Sequence, residues 1–115
     1  MRKPLALVVI PLTLAAAALP AGASEPDARA SATKRVKVGD LFFKKSKITI
    51  QSGDTVKWTW VGEAPHDVTV TKGPRKFHSK TKVSGTYSKK LRKRGAYRYI
   101  CSVHPDDMKG RIVVE

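Results

Sequence analysis

The chain has one cysteine, Cys101, so no disulfide can close within it and a disulfide-stapled scaffold is excluded. Acids are scarce, 9 against 23 lysines and arginines, and the formal net charge is +14. Such an imbalance favours anionic partners, whether an acidic protein, a membrane or cell-wall surface, or nucleic acid, and says nothing about chemistry. A sustained helical period is missing, which removes helical bundles. Internal repeats are missing too. Long apolar runs are limited to the one from Leu5 to Leu19, interrupted by Pro11 and shorter than the ~20 residues a spanning helix needs.

That run has the layout of a secretory signal. Met1-Arg2-Lys3 gives the charged start and Ala21-Gly22-Ala23 the small-residue cleavage pattern, so residues 1–23 are expected to be removed on export to the periplasm or beyond the cell. No cysteine follows, which excludes a lipoprotein anchor. Arg2 and Lys3 are the only charges lost with the signal, leaving +12 on residues 24–115. The stretch SEPDARASATK, 24–34, is small, polar and aperiodic and reads as a flexible tether. Residues 35–115 then form one small domain, of a size that often needs a staple. In an oxidising compartment its lone thiol must be buried, shared between chains, or bound to a metal.

Short runs rich in β-branched and aromatic residues are cut by turn signals at Gly53-Asp54, Gly62, Gly73-Pro74, Gly85, Gly95 and Gly110. Strands are predicted at 35–38, 46–50, 55–61, 67–71, 86–91, 96–101 and 111–115, with a further short one at 41–43. Alternation puts Val56, Trp58 and Trp60 on one face, and Tyr97, Tyr99 and Cys101 on another. Seven to eight short strands in an all-β domain of this size predict a two-sheet β-sandwich.

Soft donors gather at the end of this pattern. Cys101, His104 and Met108 fall within eight residues, CSVHPDDM, and His66 sits where the loop GEAPH hands over to strand 67–71. If those loops share one end of the sandwich, a thiolate, two imidazoles and a thioether converge, which is the donor list of a His₂Cys copper site with a weak axial methionine. Copper would then tie together two segments otherwise joined only by packing. Other readings use the same residues. Cys101 alone suits an inert buried thiol, Met108 a core plug under the last strand, and Cys101 with the two histidines a structural zinc site. His78, in the charged run RKFHSK, reads as a surface residue.

The runs APHDV at 64–68, SGDTVKWTW at 52–60 and GAYRYICSVHPDDMKGRIVV at 95–114 resemble the small blue-copper proteins, the cupredoxins of plastocyanin and amicyanin type. The similarity spans the domain from Val36 onward. It implies a Greek-key β-sandwich, one type 1 copper cycling between Cu(I) and Cu(II), ligation by His66, Cys101, His104 and Met108, and one-electron transfer through the exposed edge of His104. The family usually has asparagine after the first histidine, where this chain has Asp67. A carboxylate there can accept hydrogen bonds from Ser102 or backbone groups but donate none.

The function expected is therefore that of a soluble, monomeric one-electron carrier and not an enzyme, since four protein ligands leave no open position for a substrate. The alternative is an exported protein that sequesters or delivers copper without a redox partner. The positive charge suggests an acidic redox protein docking near His104, with an anionic membrane or cell-wall surface as a further partner. Specific nucleic-acid binding is not expected, because the aromatics alternate into the core and are not interleaved with the basic runs.

Overall fold

Period-two burial runs through the strands as the sequence predicts. In the strand Asp54–Trp60 the residues Asp54, Val56, Trp58 and Trp60 are buried while Thr55, Lys57 and Thr59 between them are less so. The computed structural model describes residues 30–115; the expected signal and residues 24–29 of the expected tether lie outside the described residues. Eight strands follow one another: β1 Thr33–Gly39, β2 Phe42–Lys44, β3 Lys47–Ile50, β4 Asp54–Trp60, β5 Thr69–Lys72, β6 Gly85–Leu91, β7 Gly95–Ile100 and β8 Lys109–Val114. They form two four-stranded sheets, ordered β2-β1-β4-β6 and β3-β8-β7-β5. β1 runs parallel to β4 and β3 parallel to β8, and the remaining neighbours are antiparallel.

One boundary needs correction. Residues 33 and 34, expected in the tether, are the first residues of β1 and pair with Thr55 and Val56 of β4. Their side chains are exposed and polar, so the pairing rests on backbone hydrogen bonds that leave no apolar pattern in the sequence.

Between the sheets lies one apolar core of sixteen buried residues, among them Val36, Val38, Trp58, Val68, Tyr97, Tyr99, Ile112 and, at one end, Cys101 and Met108. The Tyr99 ring packs edge-on to Trp58 at 5.5 Å and to Phe43 at 4.8 Å. It also lies against β8, where a Cβ on Gly110 would come within 2.1 Å of its ring, so only glycine lets the ring and that strand approach so closely. The sheets are thereby locked beside the turn that joins β7 to β8. At the opposite end the buried Asp54 carboxylate accepts hydrogen bonds from the Ala32 and Gln51 amides, at 2.9 and 3.0 Å. Two chain entries are held there that no ladder would otherwise satisfy.

Candidate metal centre

Three donor side chains meet where β4, β5 and β7 reach the same end of the sandwich. The Nδ1 atoms of His66 and His104 are 3.2 Å apart, and each is 3.8 Å from Cys101 Sγ. A point equidistant from all three atoms lies about 2.1 Å from each, close to the ~2.0–2.1 Å of metal–imidazole and ~2.3 Å of metal–thiolate bonds. His66 and Cys101 are fully buried, and His104 is half-buried. The residues present therefore fit a mononuclear copper ion, whose preferred soft and borderline donors these are. His78 is outside the group, exposed, with Nδ1 against the Ser79 carbonyl.

The backbone explains why the rings point inward. His66 exchanges two hydrogen bonds of 2.9 Å with Lys82, and its carbonyl also accepts the Trp60 indole N–H at 2.9 Å. A residue tied on both sides and to the end of β4 has little freedom left. Along the second segment, Cys101 N–H donates to the Met108 carbonyl, and the Cys101 carbonyl accepts from His104 N–H, both at 3.1 Å. The His104 carbonyl accepts from Asp107 and Met108, at 3.2 and 3.1 Å. These bonds close residues 101–108 into one turn, with the Met108 side chain wholly buried beneath it.

Asp67 joins the two segments. Its carboxylate accepts the Ser102 amide at 2.7 Å, the Ser102 hydroxyl, and the Thr69 hydroxyl at 3.1 Å, while its own N–H donates to Cys101 Sγ at 3.4 Å. Acceptance from Ser102 is what the sequence allowed for a carboxylate at this position. The N–H to sulfur bond would steady negative charge on a metal-bound sulfur.

One contributor escaped the sequence analysis. Asp40, in the turn after β1, accepts from His66 Nε2 at 2.8 Å and from the amides of Glu63 and Ala64 at about 3.0 Å. With Nε2 so engaged, Nδ1 is the nitrogen left to face the centre. The hydrogen bond from His66, with those from Ala64 and Glu63, holds the exposed Asp40 carboxyl well below its usual range, at about 2. Gly62 makes room for it: a Cβ there would fall 2.3 Å from the Asp40 carboxylate. Asp40→Ala is expected to lower copper affinity by roughly 10–100-fold, the usual cost of losing a partner behind a metal-binding histidine. Competition with a chromophoric chelator measures it, and an unchanged constant would show that packing alone sets the His66 ring.

The surface above the centre is apolar. The large exposed hydrophobic residues Leu41, Phe42, Val61, Val83 and Val103 all lie in or beside turns at this end, next to Pro65 and Pro105. Residues 40–41, 61–65 and 102–107 hold Asp40, Glu63, Asp106 and Asp107, and Lys80, Lys82 and Lys109 flank the same end. Lys82, in the neighbouring turn, is folded over the Trp60 ring and donates to the Thr86 carbonyl. Net charge counts residues without placing them, and at this end acids and lysines are mixed.

Comparison with known proteins gives a consistent set of relatives. Residues 30–115 match the family described as copper binding proteins, plastocyanin/azurin family. The chain is 38% identical over 106 residues to Amicyanin-alpha of Methylorubrum extorquens, a match covering 88% of each chain. Among solved structures, the Cu(I) form of an amicyanin variant is similar with a TM-score of 0.66 and 28% identity, over 76% of this chain and 86% of that one. An oxidized amicyanin variant is similar with a TM-score of 0.64 and 26% identity, over 71% and 81%.

Proposed function

Because the chain belongs to the plastocyanin/azurin family of copper-binding proteins and is a blue copper electron carrier, we propose that four of its side chains hold the single copper ion. These would be His66 and His104 through Nδ1, Cys101 through Sγ, and Met108 through its thioether. When bound, copper supplies a one-electron couple between Cu(I) and Cu(II). The observation that carries the assignment is the triangle of donor atoms, which needs no rearrangement to accept an ion. A cage already shaped by backbone hydrogen bonds changes little between the two oxidation states, which favours fast transfer.

His104 is the port in this reading. It is the one member of the triangle that reaches the surface, and its chain neighbours Val103 and Pro105 are exposed beside it, which supports an apolar frame for its edge. An apolar frame supports a small, quickly broken contact with a redox protein. The carboxylates of Asp106 and Asp107, close to His104 in the same turn, support a partner whose contact face is apolar with a neutral or basic border, while the chain's net charge supports an acidic one. With four protein donors, no position is left for a substrate, so the role is carriage and not turnover. The pattern of residues 1–23 supports export, and carriage in the periplasm or outside the cell.

Val103→Glu tests the port. A carboxylate beside His104 is expected to slow electron self-exchange, measured by NMR line broadening of mixed oxidation states, by at least about tenfold, because two charged faces must meet and lose water. The visible spectrum should not change, since Val103 is no ligand. An unaltered exchange rate would move the port elsewhere.

A further inference from the structure

We propose that the pole of the domain remote from His66 and His104 is a docking surface for a bilayer rich in anionic phospholipid. β4 fixes the geometry: Trp60, bonded to the His66 carbonyl, ends at the metal side, and Asp54, paired with Leu91, begins at the other. Seven strand residues put the two poles ~20 Å apart, about two Debye lengths at physiological salt, so each presents its own charge.

At the remote pole a groove of about 240 Å³ is bordered by Arg75, Lys76, Lys89, Lys90, Arg92 and Lys93 over a floor of Phe77, Leu91 and Tyr97. Among the described residues, none of these six cations forms an ion pair. Lys89 lies over the Phe77 ring at 5.4 Å, leaving its charge at the surface. Asp54 is buried, and its carboxylate is engaged by backbone amides. Glu115, beside Ser52, is the one exposed acid of this pole among the described residues. Six concentrated cations without carboxylates repel one another, a cost that an anionic partner relieves.

The arrangement selects the kind of partner. Lys89 and Lys90 are consecutive on β6 and so project to opposite faces, and Arg92 and Lys93 continue around its end. Charges that diverge around a tip match a broad, deformable layer of head groups better than one rigid chain of phosphates. Tyr97 is buried and Phe77 is half-buried beneath Lys89, so neither offers a face on which a nucleic-acid base could stack. The acids Glu63, Asp106 and Asp107 lie at the far end and are repelled by the same membrane. The bound molecule therefore stands with that end outward, and on the copper reading this leaves His104 open to partners.

The test is co-sedimentation of the full domain, with and without copper, on vesicles of phosphatidylcholine containing one third phosphatidylglycerol, beside vesicles of phosphatidylcholine alone. Binding is expected only to the anionic vesicles and equally with or without copper, so it stands or falls apart from the metal assignment. Lys76→Ala/Lys90→Ala/Lys93→Ala should lower the partition coefficient about a hundredfold, at roughly fivefold per cation. Lys47→Ala/Arg98→Ala/Arg111→Ala removes the same charge from another face and should cost less than about fivefold. Equal losses in the two variants would reduce the effect to net charge and overturn the proposal. So would preference for soluble polyphosphate with no pelleting on vesicles. While bound, the copper protein should be reduced by ascorbate as fast as when free; slower reduction would overturn the outward orientation.

Discussion

Cys101→Ser is expected to abolish the intense visible absorption, roughly near 600 nm, that the copper-loaded protein owes to its copper–thiolate bond. The variant should also lose most of the thermal stabilisation that copper confers. The centre joins the 61–68 segment to the 101–108 turn, so binding acts on the folded chain alone, and at free copper a thousandfold above the dissociation constant it contributes about 4 kcal/mol. In a domain of this size each kcal/mol moves the midpoint by roughly 4–8 °C, and loading should raise it by roughly 15–30 °C. A serine hydroxyl is a poor ligand for Cu(I) and lacks the polarisable sulfur, so less than a third of that rise should remain. Apo wild type and apo variant should melt within a few degrees of each other, because oxygen replaces sulfur at little change of volume. Scanning calorimetry with and without copper reads both. Retention of the band, or of the full copper-induced rise, would remove Cys101 from the ligand set.

Asp67 is expected to give the second large effect, separable into charge and connection. Asp67 is 5% exposed, and its carboxylate accepts both donors of Ser102, the residue after the cysteine. A negative charge held there favours the more positive, oxidised centre, so Asp67→Asn should raise the reduction potential by several tens of millivolts while the fold survives. Asp67→Ala should raise it too and, in addition, cost roughly 2–4 kcal/mol, because a buried charged acceptor of several hydrogen bonds is deleted at once. The link between the two copper-holding segments goes with it, and copper should leave faster. Protein-film voltammetry and urea denaturation distinguish the two variants. A potential that stays put or falls in Asp67→Asn would mean that the carboxylate's charge is not felt at the metal.

Fold and centre differ in how far they can be read from one dimension. Strands β4 and β7 announce themselves because Val56, Trp58 and Trp60, or Tyr97, Tyr99 and Cys101, repeat every second residue, which is the period of a half-buried strand. The start of β1 does not, since Thr33 and Lys34 contribute only backbone to the pairing. Cys101, His104 and Met108 are legible as a group because one eight-residue turn contains them all. His66 follows from its chemistry and its place at the mouth of a strand. Asp40 leaves no such trace: it is 26 residues from the ring it orients, in a turn where an acid is unremarkable. Charge was the least legible quantity. The sum of +14 is correct for the chain, yet it does not reveal that Asp40, Glu63, Asp106 and Asp107 lie at the metal end or that six unpaired cations border one groove at the other. Only the sheet topology separates them.

The parallel pairing of β8 with β3 sets an order of events in the life of the molecule. Met108 directly precedes β8, and the turn holding Cys101 and His104 closes only when that strand slots beside β3 and β7. A polypeptide in which β8 has not yet formed lacks the closing piece and has nowhere to keep the metal. Loading is thereby deferred until β8 has docked, and acquisition of copper becomes a certificate that the sandwich has closed.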